Sequence, residues 1–230
     1  MAITVLQVLT TALEQAQLDN SSSFLALARK YYNLVIRNLS RNTDWPVYNV
    51  STSTVNFIAG QLSYNLPADY QRASTIYLVN TANNNASSNM ILIVDKFKFD
   101  QLKSPSLSGV PNIAWIDQDL GKVTFDSVPS QNYGYILNYY RKGTEIALDG
   151  SNDSAAPDFP DEMALIKDLT AWFMNYTDDQ RAPMAEQKAK AQYGDFKQNV
   201  YDNSDDSIVQ LAPSRQKPGR RRGSGGWSSS

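Results

Sequence analysis

Neither cysteine nor histidine occurs anywhere in the 230 residues. Their absence removes disulfide frameworks, thiolate and imidazole zinc sites, cysteine nucleophiles and serine–histidine triads in one step. Any chemistry would have to rest on carboxylates, lysine, tyrosine or an oxygen-ligated metal. Long apolar runs are missing as well, and no stretch approaches the roughly 18 residues of a membrane-spanning helix. Residues 1–6, Met-Ala-Ile-Thr-Val-Leu, carry neither the basic start nor the continuous apolar segment of a secretory signal. The expectation is a chain made and assembled in a reducing cytosol, without membrane contact, metal or cofactor.

What is present describes a folded protein, with 42% hydrophobic and 19% charged residues. The formal charge of −2 hides an uneven distribution. Arg215, Lys217, Arg220, Arg221 and Arg222 stand in a stretch from Pro213 onward that has no acidic residue, which leaves sixteen basic against twenty-three acidic groups in the rest, a net of −7. An acidic body with a basic arm suits an anionic partner surface or a nucleic acid.

Periodicity divides the chain into three parts. Ile3, Leu6, Leu9, Leu13, Ala16 and Gln17 recur at helical spacing, and Leu27, Tyr31, Leu34, Val35 and Leu39 predict a second helix over 24–39 after the polar break at 19–23. A short loop between them predicts an antiparallel helical hairpin. From Trp45 and Pro46 the pattern turns to β-structure, with strands expected near 51–58, 64–66, 74–79 and 90–94, a hairpin over 113–125, and a tyrosine-dense strand at 133–141. Residues 80–89 read as an exposed loop, and 95–102 as a short helical crossing. A polar linker at 148–157 leads back to helices, the first with Pro160, Asp161 and Glu162 at its start and Met163, Ile166, Leu169, Thr170 and Phe173 on one face. The second carries Ala185, Ala189, Tyr193, Phe196 and Val200. The expected fold is α+β: a discontinuous helical bundle of two hairpins from 1–44 and 158–203, an antiparallel β-domain inserted over 45–157, and an extended basic C-terminal arm at 204–230.

Candidate functional residues sit mainly outside any catalytic pattern. Asp158, Asp161, Glu162, Asp205 and Asp206 are acidic neighbours, but carboxylates at a helix start or in a polar loop read as caps and solvated charge. Tyr133, Tyr135, Tyr139 and Tyr140 read as sheet packing ahead of base stacking. In the arm, Ile208 and Leu211 offer an apolar grip, the arginines forked hydrogen bonds, and Trp227 an anchor for a partner. No catalytic residue is expected.

The segment Gly60-Gln61-Leu62-Ser63-Tyr64-Asn65-Leu66-Pro67-Ala68-Asp69-Tyr70-Gln71-Arg72 stands between the Trp45-Pro46 break and the β-region. Together with Leu25-Ala26-Leu27-Ala28-Arg29 in the second helix and the closing helical pair, it resembles the head-to-tail adaptor proteins of short-tailed bacteriophages, also called head-completion or connector proteins. The resemblance covers roughly residues 1–200 and is sharpest at Leu66, Pro67, Asp69 and Tyr70. It implies a non-enzymatic virion protein of the neck or tail, assembled in the host cytoplasm into a ring, commonly of twelve copies, beneath the portal protein. Tail or nozzle proteins and tail fibres are the implied partners on the other side, with packaged double-stranded DNA close by. Carried across, the portal contact would fall to Ile208, Leu211, Arg215, Arg220, Arg221, Arg222 and Trp227. Trp45, Pro46, Gly60, Tyr64, Leu66, Pro67, Asp69 and Tyr70 would shape the junction, with Trp45 plugging it. A tail-tube or tail-fibre attachment protein that never touches the portal stays open as the alternative.

Overall fold

The computed structural model describes residues 3–42, 44–81, 85–103, 108–128 and 132–205. Helix α1 (Val5–Gln15) starts at a reciprocal cap, in which the Thr4 hydroxyl accepts the Gln7 N–H and the Gln7 amide oxygen accepts the Thr4 N–H. Helix α2 spans Ser22–Asn42. A single 3₁₀ turn at Pro46–Tyr48 then feeds eight strands: β1 (Asn49–Ser51), β2 (Val55–Asn56), β3 (Ser63–Asn65), β4 (Tyr70–Asn80), β5 (Asn85–Val94), β6 (Ile113–Asp117), β7 (Lys122–Phe125) and β8 (Tyr133–Arg141). Helix α3 (Lys96–Leu102) lies between β5 and β6, and α4 (Glu162–Tyr176) and α5 (Ala182–Asp205) follow the sheet.

The two predicted N-terminal helices form, and Leu9, Leu13, Ala16 and Val35 of the expected stripes are buried, with Ile3, Leu27, Tyr31 and Leu39 packed against the same core, but Leu6 and Leu34 turn outward. In α1 the buried positions are Val5, Val8, Leu9, Ala12 and Leu13, while Leu6 stays 40% exposed. In α2 they are Ala28, Tyr32, Val35 and Ile36, with Leu34 48% exposed. Both helices carry apolar residues on more than one side, so the period alone does not choose the face; α4 does. That helix is buried on most of its circumference, through Ala164, Leu165, Ile166, Leu169, Thr170, Ala171, Phe173 and Met174, and it is Met163 that points outward. Asp161, expected inside the first turn, is its N-cap and accepts the Ala164 N–H at 3.0 Å.

One apolar core joins both ends of the chain. Val8, Leu9, Leu13, Tyr32 and Ile36 share it with Phe159, Leu165, Leu169 and Phe173, and Trp45 and Tyr48 enter from the start of the β-region. The second core lies within the sheet and draws on Tyr64, Ile76, Leu78, Ile91, Val123, Phe125, Tyr135 and Leu137.

The sheet runs β1-β8-β4-β5-β6-β7-β3, with β2 also on β8. Tyr64 of β3 lies at the far end of this order from β8, yet its ring meets Tyr135 of β8 at 5.6 Å, and Phe57 and Phe125 fill the space between. The sheet therefore curls around its own aromatic core. Three features depart from the expected β-domain. β5 and β6 pair in parallel, because residues 95–112 with α3 carry the chain back across before β6 begins. The stretch expected as a single strand near 51–58 is broken into β1 and β2, both on β8. The polar stretch expected as a loop over 80–89 enters β5 from Asn85, since pairing with β4 satisfies its backbone whatever the side-chain polarity. The predicted hairpin of β6 and β7 forms, with Ala114 opposite Phe125.

The polar stretch at 148–157, a linker by composition, is bound to the body. The Val5 and Leu6 N–H groups, orphaned at the start of α1, donate to the Ala155 and Asp153 carbonyls at 2.9 Å. Asp153 accepts a forked pair from Arg29, at 3.1 Å from Nε and 2.6 Å from Nη2, with only 13% and 10% of the two side chains exposed. Those bonds hold the guanidinium above its ordinary pKa in spite of burial. A few residues earlier, buried Asn33 donates to the Ile146 carbonyl at 2.9 Å and accepts its N–H at 2.8 Å.

Two expectations follow from this packing. Phe159→Ala opens a cavity beneath Trp45, Tyr193 and Phe196 and should lower the unfolding free energy by about 3–5 kcal/mol in chemical denaturation. Asp168 has its pKa raised, by burial first, with the Tyr193 hydroxyl at 3.2 Å opposing the rise. A raised carboxyl stabilises the fold fully below its unfolded pKa and loses that contribution as pH climbs through the folded value. Asp168→Asn should therefore raise Tm more at pH 7 than at pH 4, and an equal shift at both pH values would remove the burial argument.

Candidate functional site

The Gly60–Arg72 segment organises the surface where the helices meet the sheet. Gly60 has φ +79°, a left-handed value that glycine takes without strain, in the turn closed by the Gln61 N–H on the Ile58 carbonyl at 3.0 Å. The Tyr64 hydroxyl locks that turn: it accepts the Ile58 N–H at 2.8 Å and donates to the Gln61 carbonyl at 3.1 Å, while its ring sits in the sheet core. Leu66 packs against the same core and donates its N–H to the Gly121 carbonyl at 2.8 Å. Pro67-Ala68-Asp69-Tyr70 forms a β-turn, closed by the Tyr70 N–H on the Pro67 carbonyl at 3.0 Å.

The end of β8 clasps this turn. The Tyr139 hydroxyl donates to Asp69 Oδ1 at 2.9 Å, the Tyr139 ring stacks on Tyr70 at 5.8 Å, and the Lys142 N–H donates to the Asp69 carbonyl at 2.6 Å. Burial, with the Asp69 bond and charge behind it, pushes the Tyr139 hydroxyl up to about 12. Arg72 lies 4.1 Å from the centre of the Tyr140 ring and pairs with Asp44, two residues beyond α2. Arg141 reaches the other way, to a forked pair with Asp158 at 2.8 and 3.3 Å. Asp158 also accepts the Thr144 N–H at 2.8 Å and is placed by its own N–H on the Tyr32 hydroxyl.

Between the turn and α2 opens a cleft of about 780 Å³. Leu66, Pro67, Ala68 and Tyr70 supply an apolar wall, and Arg37, Arg41, Arg72, Lys142 and Glu145 supply charged lining. Arg37 is paired with Glu145 at 2.6 Å and Arg72 with Asp44, whereas Arg41 and Lys142 make no ion pair among the described residues. Two buried polar atoms of the lining, Arg72 Nε and Gln71 Oε1, have no hydrogen-bond partner there either. The cleft is thus net cationic with one greasy side, a combination that recognises an anionic chain carrying apolar side groups.

The expected site residues separate into those the structure gathers and those beyond it. Trp45 is 3% exposed and meets the Phe159 and Phe196 rings at 5.3 and 5.4 Å; Pro46 is exposed and opens the 3₁₀ turn. Leu66, Pro67 and Tyr70 line the cleft, Asp69 anchors its turn, and Gly60 and Tyr64 brace it from the sheet. Ile208, Leu211, Arg215, Arg220, Arg221, Arg222 and Trp227 lie outside the described residues. Of the acidic groups considered for chemistry, Asp158 is the clamp on Arg141, Asp161 the helix cap, and Glu162 the first residue of α4. Among the described residues no acidic cluster is arranged to hold a metal ion. Arg41 and Lys142 were not expected, although Arg37 and Arg41, four apart on a helix, share a face and so carry a local signal. Nothing local connects them with Lys142.

Asp69→Ala leaves the Tyr139 hydroxyl buried without its acceptor and should cost about 1–3 kcal/mol of stability. Arg37→Ala breaks only a half-exposed pair with Glu145 and should cost less than about 1 kcal/mol. Paired urea titrations check the ranking, which inverts if the cleft wall does not depend on Asp69.

No curated protein matched the chain. The family described as SU10 adaptor protein matches residues 3–219. That span includes every described residue, and it agrees with the adaptor resemblance carried by Gly60, Tyr64, Leu66, Pro67, Asp69, Tyr70 and Arg72. The chain belongs to the SU10 adaptor protein family.

Proposed function

We propose that this protein is a non-enzymatic structural subunit of a bacteriophage particle that joins head to tail. It assembles as a ring, of about twelve copies as the family resemblance implies, beneath the portal, and presents its far side to tail or nozzle proteins and fibres. The observation that carries this reading is the adaptor-family match over residues 3–219. Residues 1–44 and 158–203 act as one helical body of two hairpins, with 45–157 as the inserted β-domain, and the shared core of Leu9, Ile36, Leu169 and Phe173 supports that division.

In this reading the arm from residue 204 docks on the portal through Ile208, Leu211, Arg215, Arg220, Arg221, Arg222 and Trp227. An arm ordered only on docking offsets part of its contact energy against lost chain entropy, which keeps the free subunit from sticking prematurely. The acidic excess of the body suits a channel lining that repels the DNA backbone, so that packaged DNA is retained by plugging and slides on release. Assembly takes place in the host cytoplasm and the finished protein resides in the virion neck.

Removal of residues 213–230 tests the arm. The shortened protein should keep the circular-dichroism melt of the full chain and lose binding to purified portal rings by more than tenfold. Undiminished binding would sink the arm model, and a full-length protein that binds tail components but never portal would favour a tail-attachment role instead.

A further inference from the structure

We propose that the basic cleft receives, from a neighbouring copy, the acidic stretch Asp202-Asn203-Ser204-Asp205-Asp206 together with the Ile208-Val209-Gln210-Leu211 that follows it in sequence. This rests on the ring reading, and it names the contact between subunits. It also moves Ile208 and Leu211 from the portal to the adjoining subunit, leaving Arg215 to Trp227 for the portal.

The cleft asks for negative charge. Among the described residues Arg41 and Lys142 have no acidic partner and the buried Arg72 Nε–H has no acceptor. The chain contains several acidic clusters, but most are engaged at home: Asp153 by Arg29, Asp158 by Arg141, Asp179 by Arg181, and Asp161 by the start of α4. The run from Asp202 puts three carboxylates into five residues, and the apolar residues behind it match the wall of Leu66, Pro67, Ala68 and Tyr70.

In the ring reading a neighbouring copy supplies the segment. The Phe196 ring is held at the aromatic junction with Trp45 and Phe159, and Trp45 adjoins Asp44, the partner of cleft residue Arg72. Past Phe196 the helix continues to Asp205, and at 1.5 Å per residue that carries the acidic run roughly 9–13 Å beyond the junction. Among the described residues, none of α5 lines the cleft of its own copy.

The absence of cysteine makes the test direct. Lys142→Cys and Asp206→Cys are introduced together into the full chain, which is mixed with portal rings and oxidised with copper–phenanthroline. Non-reducing gels should show a ladder of covalent oligomers, whereas each single variant stops at dimers. An internally bridged monomer, or no ladder while electron microscopy shows rings, overturns the neighbour contact and leaves the ring reading standing; a wild-type protein that forms no ring on portal overturns both. Charge exchange provides a second arm: Arg41→Glu with Lys142→Glu, or Asp202→Lys with Asp205→Lys and Asp206→Lys, should each weaken ring assembly at least tenfold. Combining both sets in one chain should restore it, and failure to restore assembly in a protein with an unchanged melt counts against the proposal.

Discussion

The meeting of Trp45 with Phe159 under Phe196 is the constraint on which the rest of the molecule depends. Trp45 is where the chain leaves the helices for the sheet, and Phe159 is where it returns, so two crossings far apart in sequence are held ring to ring at 5.3 Å. Phe196 and Tyr193 of α5 close over them. Aromatic rings bury large areas with few rotatable bonds, which makes them efficient at holding such a junction. Tyr48 and Tyr193 are both pushed upward in pKa by burial, a sign of how little water reaches this region.

From that junction the strand β8 transmits the geometry. Its alternation sends Tyr135, Leu137 and Tyr139 into the sheet core and sets Tyr140 against the helical core, so one strand is a wall of both. Its last residues divide their work in the same way, Tyr139 holding Asp69 and Arg141 holding Asp158. The motif that carries the family resemblance is therefore a joint. Its glycine, tyrosines, proline and aspartate set the position of a turn, and the turn sets one wall of the basic cleft.

The β-structure also explains why a chain with so many exposed apolar residues keeps a defined register. The sheet closes its aromatic core by curling, with Phe57 filling the gap between Tyr64 and Tyr135, so that β3 is placed by contacts as well as by pairing with β7. The parallel pairing of β5 with β6 is reached by way of α3, which lies between the two strands in the chain.

Much of this was legible in order along the chain. The alternation of helix and strand periods, the start of α4 near Pro160 to Glu162, the β6–β7 hairpin, the packing role of the β8 tyrosines and the exclusion of cysteine and histidine chemistry all follow from residue type and local spacing, because each depends on neighbours a few residues away. Tertiary structure alone decided which faces of α1 and α2 are buried, the parallel pairing of β5 with β6, and the docking of the polar stretch around Asp153 onto Arg29. It also decided the cleft. Arg41 ends a helix and Lys142 follows a strand, and their two positive charges come to face one opening only because the Trp45–Phe159 junction and the Asp69–Tyr139 bond bring those segments together. A hydrophobic period states that a face will be buried; which face, and beside what, is settled by the partner that covers it.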